Sequence, residues 1–219
     1  MSGGNFKQDV YAQLARVAKA VGHANRLELL EFVAQGPRGV DELANMTHLS
    51  VANASKHLQE LRLAGLVRAR KEGVRVFYEV AGPDVVDLLG SLRVVAETRV
   101  AEVSQLLRTY ITARDDLEPI PAEELMERAR LGLVTVLDVR PPEEYAAGHL
   151  PGAVNITVQA LGGHLKRLPK GREVIAYCRG PYCLLSVDAV ALLREKGYKA
   201  RRLEDGFPEW KAAGMPVEA

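Results

Sequence analysis

Residues 174–193 constrain the fold more than any other stretch of this chain. An apolar run, Val174-Ile175-Ala176-Tyr177, enters Cys178-Arg179-Gly180-Pro181-Tyr182-Cys183, and an amphipathic run over 184–193 leaves it. The first run reads as a strand and the last as a helix. Cys178 therefore falls at the end of a strand and Cys183 at the start of a helix. They are the only two cysteines in 219 residues. Backbone N–H groups in such a turn, with a helix N-terminus behind them, favour negative charge. That setting lowers a thiol pKa and exposes a nucleophilic thiolate.

The surrounding sequence repeats the same unit. A helix is expected over 121–130, a buried strand over 134–139, a strand over 152–156 and a helix over 158–168. After the thiol loop, a helix over 184–196 ends at Gly197, followed by a strand over 200–203 and a helix over 208–213. This alternation argues an α/β domain with a largely parallel sheet. Ligands of such sheets bind beyond the carboxyl ends of the strands. Cys178 sits at one such end, and Asp138 and Arg140 at another.

The first half is built differently. Helical spacing runs over 10–21 and 25–33, with a short helix over Val40–Met46. Ser50 is placed as the N-cap of a fourth helix reaching about Ala64 and stopped by Gly65. Residues 66–70 and 74–80 alternate as strands do, with Lys71-Glu72-Gly73 between them. Residues 56–75 hold six cations and two anions, a local net of +4 on a chain whose overall charge is +1. A basic strip on a near-neutral protein marks one nucleic-acid-facing surface. Short helices with a basic hairpin describe a mainly α winged helix-turn-helix. Its fourth helix fits the major groove and its hairpin the adjacent backbone. The exposed start of that helix offers Ala52, Asn53, Ser55, Lys56 and His57. Asn53 and Lys56 suit base edges, and Arg68, Arg70, Lys71 and Arg75 suit phosphates.

Ala20-Val21-Gly22-His23-Ala24-Asn25-Arg26-Leu27-Glu28-Leu29-Leu30, then Leu49-Ser50 through His57-Leu58, then Ala64-Gly65-Leu66-Val67, resemble the ArsR/SmtB repressors. The likeness covers about residues 10–80 and implies a homodimer on a palindromic double-stranded DNA operator. Metal-sensing members of that family carry cysteines near the third helix or an Asp/His set on the last. Here Val40–Met46 has no cysteine and 84–110 no histidine, so the signal must enter elsewhere. His23 and His57 read as packing or capping groups.

Residues 84–110 contain no proline. Leu88, Leu92, Val95, Arg99, Val103, Leu106 and Tyr110 recur at spacings of three and four, a coiled-coil-like seam that reads as one long intersubunit helix. The polar stretch 112–119 reads as a linker. The chain thus divides as 1–111 for DNA binding and dimerisation, 112–119 as linker, and 120–219 as the α/β domain.

The second half resembles a rhodanese domain. The likeness rests on Leu137-Asp138-Val139-Arg140, Glu144-Tyr145, Gly148-His149-Leu150-Pro151-Gly152-Ala153-Val154-Asn155-Ile156, Tyr177-Cys178-Arg179 and Leu203-Glu204-Asp205-Gly206-Phe207-Pro208-Glu209-Trp210. It implies that Cys178 accepts sulfur as a persulfide, with Asp138 and Arg140 lining or bracing the pocket. Rhodanese loops often place an arginine five positions after the cysteine, followed by a serine; here Cys183 and Leu184 stand there. The loop's anion grip is therefore altered, leaving Arg179 and the loop amides to hold an anion. Cys183 can instead attack a modified Cys178 and give a disulfide or a sulfur-bridged pair. The plain alternative makes Cys183 a small buried residue at a helix start. A zinc site from Cys178, Cys183, His149 and His164 lacks compact ligand spacing. No metal or cofactor is expected, and His149 reads as a cap on the turn at 148–152.

Residues 1–7 lack the apolar core of a signal peptide, and no run approaches the roughly 18 apolar residues of a membrane span. A cytoplasmic protein with no membrane partner is expected, in which a lone cysteine pair is catalytic, redox-active or metal-binding rather than structural. The leading expectation is a dimeric repressor whose rhodanese-like domain detects reactive sulfur or an oxidant through Cys178, with Cys183. Its rivals are a sulfurtransferase enzyme carrying a DNA-binding module, and a thiol-based oxyanion reductase acting on arsenate.

Overall fold

The structure, a computed structural model, describes residues 4–115 and 117–219. Residues 1–3, part of the stretch inspected for an export signal, and Asp116, in the stretch read as linker, lie outside the described residues. The chain forms two compact units, one ending at Val85 and one running from Val86 to Ala219.

The first unit begins with α1 (Gly4–Val21) and α2 (Ala24–Ala34). The His23 side chain caps α2 by accepting the Asn25 amide at 3.2 Å. A two-residue strand β1 (Arg38–Gly39) leads into α3 (Val40–Met46) and then α4 (Val51–Leu63). Ser50 Oγ accepts the Asn53 amide at 3.3 Å, the cap expected from sequence. At the other end of α4, Gly65 turns with φ +78°. Its amide and that of Leu66 bond back to Arg62 and Leu61, closing the last carbonyls. Strands β2 (Val67–Glu72) and β3 (Arg75–Val80) then pair antiparallel from Val67 opposite Val80 to Glu72 opposite Arg75. The sheet order is β1-β3-β2. Leu29, Leu30, Leu43, Leu58 and Leu61 are fully buried beneath it.

The single helix expected over 84–110 is two helices. Helix α5 (Pro83–Arg99) ends one residue before Val100, whose extended backbone (φ −111°, ψ 105°) starts α6 (Ala101–Leu107). A π-helical stretch, Arg108–Thr112, follows. The local cause is hydroxyl competition for helical carbonyls. Thr98 Oγ1 bonds the Val94 carbonyl at 2.7 Å, and Ser104 Oγ takes the Glu97 carbonyl at 2.8 Å across the break. The apolar seam is thereby cut, and Leu92, Val95, Leu106 and Tyr110 are exposed. Within the stretch read as linker, Asp115 is buried, paired with Arg202 at 2.5 Å and Arg194 at 2.8 Å.

The second unit continues with α7 (Ala122–Arg130), β4 (Val134–Asp138), α8 (Pro142–Ala146) and β5 (Val154–Asn155). Then come α9 (Val158–His164), β6 (Glu173–Tyr177), α10 (Leu184–Glu195), β7 (Ala200–Arg202) and α11 (Phe207–Ala212). The sheet is wholly parallel, in the order β5-β4-β6-β7. Both faces are covered, as parallel sheets require. Alternate residues of β4 and β6 divide between two cores. Leu137, Val174, Ala176 and Cys178 join Leu161, Val190 and Leu193 on one side. Val136, Ile175 and Tyr177 join Leu125, Phe207 and Trp210 on the other. Each fully buried Leu or Ile stabilises by about 1.5–3 kcal/mol. That packing leaves the carboxyl ends of β4 and β6 side by side, Asp138 opposite Tyr177.

Candidate functional site

Strand β6 carries Cys178 out of the sheet on the side covered by α9 and α10, where it is 2% exposed. Cys183 is the N-cap residue of α10, and its carbonyl accepts Ser186 Oγ at 3.1 Å. The two sulfurs are joined as a disulfide, with Cα atoms 6.2 Å apart, and neither cysteine is free. The loop between them turns on the Cys183 amide, which bonds the Gly180 carbonyl at 3.1 Å. Beneath it, the Phe207 amide donates to the Cys178 carbonyl at 3.1 Å. Gly206 lies so close that a side chain there would come within 2.4 Å of the Gly180 nitrogen. Glycine at 206 is thus required by the approach of two backbones.

Asp138 and Arg140 are both fully buried at the end of β4. Arg140 Nη2 meets Asp138 Oδ2 at 2.7 Å and the Gly148 carbonyl at 2.8 Å, and its guanidinium stands 4.2 Å from the Phe207 ring centre. Burial works against the Arg140 charge, but the hydrogen bonds and charge of Asp138 outweigh it and raise its pKa. Tyr177 donates its hydroxyl to Asp138 and accepts the Leu150 amide at 3.1 Å. Burial, then the Asp138 charge, push the Tyr177 phenol far up, so it stays a donor. These groups form one buried hydrogen-bonded set at the carboxyl ends of β4 and β6.

Arg179 faces a carboxylate. Its Nε donates to Glu144 Oε1 and Oε2 at 2.9 and 3.1 Å, and Nη2 lies 2.7 Å from Oε1. Glu144, on α8, is 1% exposed. The sequence offered no sign of this partner. Two further contacts involve α5. Tyr182 donates its hydroxyl to Glu97 Oε1 at 2.8 Å, and Arg93 donates to Asp205 Oδ1 at 2.8 Å. Neither was read from sequence.

His149 does not join the thiols. It stacks on Tyr145 with ring centres 3.7 Å apart and engages the Tyr145 carbonyl at 3.0 Å. His164 engages the Ala160 carbonyl at 2.9 Å. Among the described residues, no three His, Cys, Asp or Glu side chains are grouped to hold a metal.

The residues read for DNA gather on one helix and one hairpin of the first unit. Ala52, Asn53 and Lys56 are exposed on the first turns of α4, and Arg68, Arg70, Lys71 and Arg75 are exposed along β2 and β3. Val74, at the hairpin tip, is 98% exposed. Ser55 and His57 are half-buried. The His57 ring lies 4.5 Å from that of His23, and burial, with His23 and Arg26, lowers its pKa. Arg70 is ion-paired to Glu72.

Residues 23–69 match the family of bacterial regulatory proteins of the arsR type, and residues 121–213 match the rhodanese-like domain. The HTH-type transcriptional regulator Rv0324 of Mycobacterium tuberculosis is 43% identical over 206 residues, covering 94% of this chain and 90% of its own. This chain belongs to the ArsR family of transcriptional regulators. The regulator carries in addition a rhodanese-like domain. A protein of Allochromatium vinosum named sulfurtransferase is 32% identical over 102 residues, covering 46% of the regulator and 94% of itself. Among solved structures is the homodimeric winged helix-turn-helix DNA-binding domain, residues 1–100, of a possible ArsR-family regulator from Mycobacterium bovis. It is 40% identical and covers 46% of this chain and 94% of its own, with a TM-score of 0.42. Among the described residues no helix is long and apolar enough to cross a membrane.

Proposed function

We propose that the regulator is a cytoplasmic homodimeric repressor whose operator affinity is set by the state of Cys178 and Cys183. The observation that carries this reading is the disulfide joining the strand-end thiol to the helix-cap thiol. Residues 1–111 supply DNA binding and dimerisation, and residues 120–219 the sulfur chemistry, joined through 112–119. The homodimeric relative from Mycobacterium bovis, itself a DNA-binding domain, agrees with this assembly.

The inducing chemistry balances without a cofactor. The Cys178 thiolate attacks the terminal sulfur of a hydropersulfide, R–S–SH, forming the Cys178 persulfide and releasing RS⁻. The Cys183 thiolate, favoured by the positive end of α10, then attacks Cys178 Sγ and expels HS⁻. The pair of thiols is oxidised by two electrons, and the transferred sulfur is reduced to sulfide. Arg179, engaged with Glu144, is withheld from a sulfonate anion, which disfavours thiosulfate as the donor. Asp138 and Arg140 act as braces of the site. Asn53 and Lys56 read base edges, with Ala52, Ser55 and His57 beside them. Arg68, Arg70, Lys71 and Arg75 hold phosphates.

The test pairs mass spectrometry of the 178–183 peptide with gel shifts after separate treatment by polysulfide, thiosulfate and peroxide. Polysulfide is expected to yield the bridge and release DNA. Full modification with unchanged DNA binding contradicts the reading. The likeness to a sulfurtransferase supports a second reading, an enzyme first. Sustained turnover that is lost in Cys178→Ala and kept in Cys183→Ala would favour it.

A further inference from the structure

Tyr182 adjoins Cys183 in the thiol loop, and its hydroxyl donates to Glu97 at 2.8 Å. Glu97 lies in the last turn of α5, and its own carbonyl receives Ser104 Oγ across the break at Val100. One turn earlier on the same helix face, Arg93 bonds Asp205 at 2.8 Å and lies 3.8 Å from Glu209. All of these residues belong to the second unit. The two ties differ in what holds them. Asp205 precedes Gly206, and the 206–207 backbone is fixed under the loop by packing and by the Phe207–Cys178 hydrogen bond. Tyr182, in contrast, rides on the short segment that the disulfide closes.

Both donors are permanent. Burial opposes the Arg93 charge, but Asp205 outweighs it and raises the pKa. Burial and the Glu97 carboxylate push the Tyr182 phenol well above its usual range.

We propose that the Tyr182–Glu97 hydrogen bond is the contact through which the state of the Cys178–Cys183 pair reaches α5. This rests on the switch reading above and names its output. With the bridge closed, α5 is tied to its unit at two points one turn apart, about 6 Å along the axis. Two hydrogen bonds one turn apart on one face restrict the rotation of a helix more than one does. A thiol reductant opens the bridge: two electrons and two protons pass to the cysteine sulfurs, and the reductant leaves as its own disulfide. The loop then relaxes and Tyr182 leaves Glu97, while Arg93 stays bonded to Asp205. Helix α5 begins at Pro83, three residues after β3 ends at Val80, so it is the segment by which the chain leaves the wing.

The experiment uses full-length protein and a DNA duplex that the wild type selects from a random pool. Wild type, Tyr182→Phe and Glu97→Gln are each prepared reduced and bridged, with bridging verified by mass. The readout is the ratio of operator affinities between the two states. Tyr182 is 44% exposed, so the phenylalanine variant loses only its hydroxyl. It is expected to bridge normally while its ratio falls to within about threefold of unity, below the usual range of allosteric coupling. Glu97→Gln keeps an acceptor oxygen and is expected to retain most of the wild-type ratio. A bridged Tyr182→Phe with the full wild-type ratio overturns this proposal and leaves the switch standing. A wild-type ratio of one overturns the switch, and the proposal with it.

Discussion

Arg179 donates Nε to both carboxylate oxygens of Glu144, at 2.9 and 3.1 Å, across 35 residues of sequence. The residue beside the candidate nucleophile is thus held by a buried acid rather than aimed at an incoming anion. Arg179→Ala leaves Glu144 without its principal counter-charge. It is expected to destabilise the second unit by about 2 kcal/mol, below the usual cost of a fully buried pair because Arg179 is partly exposed. Any thiosulfate turnover should fall by less than about tenfold, the scale of one charged hydrogen bond. Urea titration and a cyanide-coupled assay check these; a far larger loss of turnover with unchanged stability would show that Arg179 grips the substrate.

The Asp138–Arg140 pair is fully buried, and removing one partner strands a charge in the core. Asp138→Ala and Arg140→Ala should each cost about 3–5 kcal/mol. Tyr177→Phe, which loses one bond to Asp138 and one from Leu150, should cost about 1–3 kcal/mol. Denaturant midpoints at constant slope measure all three. Near-zero changes would mean that the pair is not a brace.

Glu173 supplies a pH signature. Burial opposes its charge, but Arg201 at 2.9 Å and Arg128 at 2.5 Å outweigh it and lower its pKa. A carboxylate with a lowered folded pKa contributes stability above its unfolded pKa and loses it as pH falls through the folded value. Glu173→Gln should therefore be less stable than wild type by about 1–2 kcal/mol at pH 7. The gap should close as pH drops below the ordinary carboxylate range. A gap that persists unchanged in acid would assign the effect to packing.

On the DNA side, the hairpin cations and the α4 residues are expected to fail differently. Arg68→Ala or Arg75→Ala should lower affinity on all sequences and reduce the salt slope by about one. Asn53→Ala should cost about 1–3 kcal/mol on the operator and relax base preference at one position. Arg70, already paired with Glu72, should lose less than Arg68 or Arg75. Binding as a function of salt on operator and scrambled duplexes separates the two classes.

Much of this was legible in the chain. Ser50 capping α4, Val40–Met46 as a helix, and the strand leading to Cys178 all follow from caps and from the 3.6 and 2.0 periods. What escaped were pairings between distant residues. Glu144 with Arg179 and Glu97 with Tyr182 are separated by 35 and 85 positions, and no local pattern marks them. The break at Val100 escaped for another reason. Apolar spacing continues through it, while Thr98 and Ser104 act on backbone carbonyls that periodicity does not register. Asp115 looked like linker because acidic residues are usually solvated; two arginines make its burial affordable.

Control of DNA affinity by the Cys178–Cys183 bridge, as proposed, can be measured directly. The direct measurement is fluorescence anisotropy of a labelled operator titrated with full-length protein, fully reduced in one series and fully bridged in the other, with thiols counted in both. The bridged protein is expected to bind at least about fivefold more weakly, within the normal range of coupling between sites. Equal Kd values for the two verified states would contradict it.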